Sequence, residues 1–224
     1  MAINKEKYTE IIRELKLKKT VLVAVSKTKP PEAIKELYDL GQRDFGENYV
    51  QEMVDKYHEL PKDIRWHFIG HLQSNKVKYI APFVHLIQSV DSLKLLKEIN
   101  KQGIKINRAV DVLLQVHIAK EETKFGLDEN EVQGILNSDS IALGELKNIR
   151  INGLMGMASF IENKEEVRKE FHYLKMLYDK YASAPKVNYQ LKTLSMGMSD
   201  DYKIAIEEGS NLVRIGSLIF GQRN

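Results

Sequence analysis

A lysine at the end of the first apolar run of the sequence has the surroundings of a reactive amine. The run covers Val21–Val25, and Lys27 follows it after one residue. If the run is a β-strand, every second residue shares a face, so Lys27 continues the face of the alternate valines. An apolar interior on that face would disfavour the ammonium form and make the amine a nucleophile towards aldehydes. Alternatively, Lys27 is a solvated loop lysine beside Lys29 and Pro30.

Two segments near the other end of the chain have the composition of a phosphate site. Each follows an apolar run and contains a glycine and a serine. In α/β barrels the loops after strands seven and eight commonly bind phosphate through backbone N–H groups. Glycine permits close approach of the backbone and serine adds a hydroxyl donor, although ordinary turns use the same residues. The candidate phosphate ligands are Ser195, Gly197, Gly216 and Ser217.

A connected set of motifs, spread from Val21 to Gly221, gives the sequence a family resemblance. The motifs are Ala24-Val-Ser-Lys27, Phe45-Gly-Glu-Asn-Tyr49, Trp66-His-Phe-Ile-Gly70, Leu72-Gln73, Asn75-Lys76, Gly153-Leu-Met155, Leu194-Ser-Met-Gly-Met-Ser199, Val213-Arg-Ile-Gly216 and Phe220-Gly221. In their order and spacing they closely resemble the motifs of the pyridoxal phosphate homeostasis proteins, also called the YggS-like family. Asn211 and Ser217 stand where that family often has threonine, and Ser217 keeps the hydroxyl group.

The resemblance implies a fold, a cofactor and a set of site residues. The family has the barrel of the alanine racemase N-terminal domain, and its cofactor lysine, which holds pyridoxal 5'-phosphate as a Schiff base, matches Lys27. In related barrel enzymes an arginine that matches Arg214 faces the pyridine nitrogen; a structural ion pair is the alternative for this residue. A guanidinium cannot accept a proton at neutral pH, so the nitrogen would stay neutral and the cofactor would be a weak electron sink. The expected cofactor-binding residues are Lys27, Ser195, Gly197, Arg214, Gly216 and Ser217.

Composition excludes several other kinds of function. The 224 residues include no cysteine, which rules out disulfides, Cys-ligated metals and thiol catalysis. The net charge of +3 is spread along the chain, unlike the basic stripe of a nucleic-acid-binding protein. The first residues lack the apolar core of a signal peptide, and no apolar stretch approaches the ~20 residues of a membrane span. We expect a cytoplasmic protein with no nucleic acid or membrane partner.

Eight apolar runs alternate with amphipathic, charge-rich segments. Several runs are nearly continuous in β-branched residues, which is typical of strands buried on both faces of a parallel sheet. No G-x-G-x-x-G motif follows the first run and no linker divides the chain. The pattern therefore predicts that residues 1–224 form a single (β/α)8 TIM barrel domain, with an extra N-terminal helix over 3–17 and no second domain. The predicted strands are 21–25, 43–46, 66–70, 85–89, 110–118, 149–155, 191–195 and 212–216. The other predicted helices are 31–40, 91–103 and 162–181, the first two stopping at glycines.

Other polar residues have simpler explanations. Asn48 stands three residues before Gln51, which predicts a helix cap and its capping box. His67 and His71 have a metal-binding spacing only on a helix, whereas their segment is typical of a strand, so no metal is expected. Met155, Met157, Met196 and Met198 suit packing in the core or at the barrel mouth. Lys124 could reach the mouth, or could lie in a surface turn.

The absence of a predicted second domain bears on whether the protein is a catalyst or a carrier of the cofactor. Racemases of the related group take a second acid–base group from another domain, and this chain has no residues to spare for one. We therefore expect a non-catalytic protein of vitamin B6 homeostasis, which acts as a monomer and has pyridoxal phosphate and the apo-enzymes that require it as partners. The alternatives are a racemase or decarboxylase that uses the cofactor, and a Schiff-base aldolase that uses the lysine alone.

Overall fold

Eight parallel strands close into one barrel. The computed structural model describes residues 3–121, 125–136, 146–183 and 189–221. The strands pair in sequence order, and β1 closes the barrel on β8, with Val21 opposite Leu212 and Ala24 opposite Ile215. All eight predicted strands are confirmed, and with them the predicted (β/α)8 fold. The strands are β1 (Val21–Val25), β2 (Asp44–Glu47), β3 (Arg65–Phe68), β4 (Leu86–Val90), β5 (Val110–Val116), β6 (Ile149–Gly156), β7 (Tyr189–Ser195) and β8 (Leu212–Ile215).

Helices cover the outside of the barrel. The predicted N-terminal helix is α1, whose first turn is capped by Asn4: its Oδ1 accepts a hydrogen bond from Lys7 N at 2.9 Å. No helix of the described ranges combines the length and the apolar composition that crossing a membrane requires. Lys124 lies outside the described residues. The described α-helices are α1 (Lys5–Leu17), α2 (Pro31–Asp39), α3 (Val50–Glu59), α4 (Val77–Ile80), α5 (Leu93–Lys105), α6 (Glu129–Leu136), α7 (Lys164–Ala182), α8 (Tyr202–Glu207) and α9 (Ser217–Phe220).

The apolar core has two parts, and the alternation of side chains along β1 separates them. Leu22 and Ala24 belong to the large cluster between the strands and the helices. Val23 belongs to a small cluster inside the barrel, together with Leu86, Leu113, Met155 and Leu212. The face of β1 that carries Val23 is therefore the barrel interior, which is the condition that the reactive-amine interpretation of Lys27 requires.

Helix α5 does not stop where the sequence predicts. It runs through Gly103 to Lys105, so the prediction that this glycine ends the helix is wrong. A Cβ atom on Gly103 would lie 2.7 Å from the backbone oxygens of Arg108 and Asn148, so the glycine allows close packing of the helix on these segments. Asn107, with φ of +50°, takes the left-handed conformation after the helix end instead.

Gly153 in β6 gives a test of this packing. A Cβ atom there would lie 1.7 Å from the carbonyl oxygen of Thr193 in β7. We expect Gly153→Ala to lower the free energy of unfolding by about 3 kcal/mol or more, because two paired backbones would have to separate. Gly134 in α6 has no atom within 4 Å of such a Cβ, so Gly134→Ala should raise it by up to about 1 kcal/mol. Urea denaturation of both variants measures the difference, and equal effects would contradict the close approach.

Candidate functional site

A cavity of about 270 Å³ opens at the carboxyl ends of the strands, where α/β barrels place their active sites. Lys27 lines it directly after β1 and is half-buried. Four of the six predicted site residues line this cavity, whereas Ser195 and Gly197 do not. Its lining residues are Val25, Lys27, Lys29, Asn48, Ile69, Met157, Phe160, Met198, Ser199, Asp200, Asp201, Arg214, Gly216, Ser217 and Gly221.

Arg214 forms the inner wall of the cavity and is held by carbonyl and hydroxyl oxygens. Its Nη1 donates to Ser195 O at 3.0 Å and to Ser195 Oγ at 2.5 Å, and its Nη2 donates to Gly156 O at 2.9 Å. Only 3% of the residue is exposed. Burial lowers the pKa of Arg214 to about 10, against the opposing effect of the Asp201 carboxylate. The group therefore remains a cation at neutral pH and can only donate hydrogen bonds.

Ser195 and Gly197 contact Arg214 without lining the cavity. Ser195 is fully buried, and besides accepting from Arg214 its hydroxyl donates to Gln88 Oε1 at 2.6 Å. The carbonyl oxygen of Gly197 accepts a hydrogen bond from the backbone N–H of Arg214 at 3.0 Å. Gly197 has φ of +97°, and a Cβ atom there would lie 2.6 Å from Ala205 Cβ. In the structure these two residues shape the wall behind Arg214.

Gly216 and Ser217 lie where β8 leads into α9. A Cβ atom on Gly216 would meet the carbonyl oxygen of Val25 at 3.1 Å, so glycine keeps this corner of the cavity open. Helix α9 begins at Ser217, and the first N–H groups of a helix have no carbonyl partner one turn earlier. Ser199 lines the cavity nearby and offers a second hydroxyl group. This side of the cavity combines backbone and hydroxyl donors, and Asp200 and Asp201, which follow Ser199, line the same cavity.

Asn48 is a site residue that the sequence analysis assigned wrongly. Helix α3 has Tyr49 as its N-cap residue, without a side-chain capping bond, so the predicted cap does not exist. Instead Asn48 lines the cavity, and its Oδ1 is buried with no hydrogen-bond partner in the described structure. The register could have revealed it: Val25 pairs with Gly46, so Lys27 and Asn48 are each two residues beyond a matched pair.

The histidines and methionines occupy different environments. His67 is buried inside the barrel, whereas His71 is exposed, hydrogen-bonded to Asp91 and stacked on Phe125. Met155 and Met196 are core residues, and Met157 and Met198 line the cavity, as the packing interpretation predicts. One group in the described ranges, Asp44, His67 and His85, has its potential metal-ligand atoms within 4.8 Å of one another.

Comparison with known proteins now identifies the family. The model of the alanine racemase N-terminal domain matches residues 5–224. A pyridoxal phosphate homeostasis protein of Aquifex aeolicus is 44% identical over 203 residues, which cover 90% of this chain and 86% of the relative. The chain belongs to the pyridoxal phosphate homeostasis protein family.

Solved structures agree with the family's fold. PipY of Synechococcus elongatus, solved with PLP bound, is 33% identical, with a TM-score of 0.86 over 96% of this chain and 99% of PipY. Alanine racemase from Bartonella henselae is 18% identical, with a TM-score of 0.71 over 97% of this chain and 59% of the racemase chain. The second likeness shows a shared barrel fold.

A buried ionic cluster under the Lys27 turn escaped the sequence analysis. Lys56 Nζ donates to Ser26 O at 2.9 Å, to Glu47 Oε1 at 2.8 Å and to Glu52 Oε1 at 2.7 Å. The Glu52 carboxylate also accepts from Thr28 N at 2.6 Å, and Thr28 has φ of +64°, which is unusual for a β-branched residue. The cluster thus fixes the backbone on both sides of Lys27. The spacing of Glu52 and Lys56, one helical turn apart, was the available signal.

Glu47 is a member of this cluster whose ionised form is poorly stabilised. The residue is fully buried, and its Oε2 has no hydrogen-bond partner in the described structure. Burial raises the pKa of Glu47 from 4.5 to about 7, although Lys56 and the Ser26 hydroxyl act to lower it. A carboxyl group whose pKa is higher in the folded state destabilises the fold once it must ionise.

Stability should therefore fall with pH through this group. Between about pH 4.5 and pH 7 the unfolded state releases the Glu47 proton first, so the folded state loses up to about 3 kcal/mol over that window and little above it. We expect Glu47→Gln to remove this slope, because an amide does not ionise. Urea denaturation at pH 5 and pH 8 compares wild type with Glu47→Gln, and Glu52→Gln serves as control. An unchanged slope in Glu47→Gln would contradict the assignment.

Proposed function

We propose that this protein binds pyridoxal 5'-phosphate covalently through Lys27 and thereby serves intracellular vitamin B6 homeostasis. The observation that carries the proposal is that Lys27, Arg214 and Gly216 line one cavity at the barrel mouth. Lys27 alone would equally suit an aldolase that uses no cofactor. A donor-rich corner and a buried guanidinium in the same cavity favour a ligand with a phosphate and a ring nitrogen.

The residues of the cavity fit that ligand group by group. When bound, the cofactor supplies an aldehyde that reacts reversibly with primary amines. Lys27 offers the amine, and the ionic cluster below it holds the backbone of its turn. The hydroxyls of Ser217 and Ser199, together with the backbone at Gly216, provide the donors that a phosphate needs.

Arg214 and Asn48 would orient the ring. In the described structure the three bonds of Arg214 engage three of its five N–H donors, which leaves donors for a ring nitrogen. Asn48 Oδ1 is an acceptor without a partner, so it favours a hydroxyl donor on the ligand. Ser195 and Gly197 support Arg214 from outside the cavity, and we propose for them an indirect role.

We further propose that the protein is a carrier and no efficient catalyst. Arg214 cannot share a proton with the ring nitrogen, which weakens the electron withdrawal on which carbanion chemistry depends. An opposing acid would have to come from a residue such as Tyr49 or Tyr202. Tyr49 is 59% exposed and Tyr202 donates to Glu14 at 3.0 Å, and neither lines the cavity. The recipients of the cofactor would be apo-enzymes that require it. We propose that the carrier is a monomer in the cytoplasm, and the absence of cysteine agrees with a reducing compartment.

Covalent attachment at Lys27 is tested by reduction with borohydride. We expect peptide mass spectrometry to find the phosphopyridoxyl group on Lys27, because its backbone is fixed at the cavity wall. Lys29 lines the same cavity and provides the matched control. Lys27→Ala should abolish the modification and the absorbance of the bound cofactor, whereas Lys29→Ala should keep both. Labelling that moves to Lys29 or persists in Lys27→Ala would refute the assignment.

Carrier and racemase differ in the fate of the α-proton of an amino acid. We expect a panel of amino acids to change the absorbance of the loaded protein, because their amines can exchange with Lys27. Deuterium exchange at the α-carbon should stay near the rate of free cofactor, since general acid–base help worth about 10²–10⁴-fold is missing. Proton NMR in deuterated water measures that exchange, with Lys27→Ala as control. Rapid exchange that disappears in Lys27→Ala would favour the racemase.

A further inference from the structure

A column of polar side chains runs through the barrel interior from the cavity to the amino ends of the strands. Behind Arg214, Ser195 Oγ is 2.6 Å from Gln88 Oε1, and Gln88 Nε2 is 3.0 Å from His67 Nδ1. His67 Nε2 is 3.0 Å from Asp44 Oδ1. The column thus joins the last residue of β7 to the first residue of β2 through β4 and β3. Ser195, Gln88 and His67 are at most 2% exposed, so water does not compete for these bonds.

The two ends of the column have fixed hydrogen-bonding roles. Asp44 also accepts two hydrogen bonds from Arg65. Burial would raise the pKa of Asp44, but the hydrogen bonds from Arg65 and His67 outweigh it and hold the pKa well below its usual value. Asp44 is therefore a carboxylate and can only accept. Arg214 at the other end can only donate.

Every link between these ends follows from the acceptor at Asp44 if the His67 ring carries a single hydrogen. His67 must donate from Nε2 to that carboxylate, so the neutral ring can only accept at Nδ1. Gln88 must then turn its NH2 towards His67 and its Oε1 towards Ser195. The Ser195 hydroxyl must donate to that oxygen, so its lone pairs face Arg214. With a singly protonated His67, the Gln88 amide has the same orientation as in the structure.

We propose that Gln88 and His67 are positioning residues for Arg214. They carry the hydrogen-bond direction that is fixed at Asp44 along the column to Ser195, and this makes Ser195 an obligatory acceptor for the guanidinium. This inference rests on the proposed function, in which Arg214 orients the cofactor ring. Neither residue lines the cavity, and both act through Ser195. Removing either should let the Ser195 hydroxyl rotate and Arg214 lose its fixed orientation.

The same polarity argues against a metal ion at the base of the column. His67 Nε2 carries a hydrogen that points to Asp44, and so has no lone pair for a metal. The charged and titratable groups around His67 are Asp44, Arg65 and His85, whose ring centroid is 5.4 Å away. A second proton on His67 would require Gln88 to turn its oxygen towards Nδ1 and its NH2 towards Ser195.

The polarity can be read directly in the protein without added cofactor. We expect ¹⁵N NMR of histidine-labelled protein at pH 7.5 to show His67 as the neutral ring with its hydrogen on Nε2. In Gln88→Glu the new carboxylate should accept from both neighbours and turn His67 into the doubly protonated form at the same pH. A hydrogen on Nδ1 in the wild type, or a shift of this signal on adding zinc, would overturn the proposal. This measurement decides the polarity whether or not the cavity binds pyridoxal phosphate.

The effect on Arg214 is measured by the affinity for pyridoxal phosphate and by the absorbance maximum of the loaded protein. Gln88→Met, close in shape but without hydrogen bonds, should weaken affinity about three- to tenfold and shift the absorbance maximum. Gln115→Met is the control, because Gln115 is 5% exposed in the neighbouring β5 and bonds outside the column to Phe125 O. Gln88→Glu should bind more tightly than Gln88→Met, because Glu still accepts from Ser195.

A double variant distinguishes transmission from a general loss of packing. If Gln88 acts through Ser195, the double variant Ser195→Ala with Gln88→Met should bind pyridoxal phosphate no more weakly than the single variant with the lower affinity. Additive losses, or equal behaviour of Gln88→Met and Gln115→Met, would refute the positioning role. A wild type that binds no pyridoxal phosphate at Lys27 would refute the proposed function and leave the NMR result standing.

Discussion

The site depends on one buried cation inside the barrel, the guanidinium of Arg214. Taking a charge out of water is expensive unless hydrogen bonds replace the lost hydration. The barrel supplies three oxygen contacts, from Gly156 O at the end of β6 and from the backbone and hydroxyl of Ser195 at the end of β7. Arg214 therefore ties three adjacent strands together at the mouth. Its position is set by the strands themselves, and so the cavity has one rigid wall.

The need to satisfy the hydrogen bonds of Arg214 accounts for the polar side chains in the barrel interior. Barrels of this kind usually fill the interior with layers of branched apolar side chains. Here a small apolar cluster around Val23 and Leu113 shares the interior with the polar column. A buried hydroxyl that accepts from Arg214 needs its own acceptor, and each further partner needs another. The series ends only at Asp44 and Arg65, where the barrel meets solvent and a carboxylate can be paired with an exposed arginine.

Features set by local patterns were predictable from the sequence, and features set by distant contacts were not. Continuous apolar runs predicted all eight strands, and the alternation of side chains along a strand placed Lys27 on the face of the alternate valines of β1. Gly103 misled the helix prediction because its role is packing against Asn148, which no local pattern reveals. Asn48 fits a capping box in sequence, yet the register of β1 against β2 places it in the cavity. The column from Asp44 to Ser195 joins residues up to 151 positions apart and needs the closed barrel to exist.

The two walls of the cavity differ in how they are held. Arg214 is rigid and belongs to the strands. Lys27 follows β1 in a turn, and the charges that fix this turn contact the backbone of Ser26 and Thr28. The covalent bond proposed at Lys27 would be reversible, because any primary amine can compete for the same aldehyde. Catalysis would need a second group to move a proton on the opposite side of the bound amine, together with a ring that draws electrons away. In the proposed orientation Arg214 could only donate to the ring nitrogen, which would oppose the second requirement through the same charge that holds this cavity wall. Under the proposed function, firm orientation of the ring and weak electron withdrawal would therefore follow from one residue.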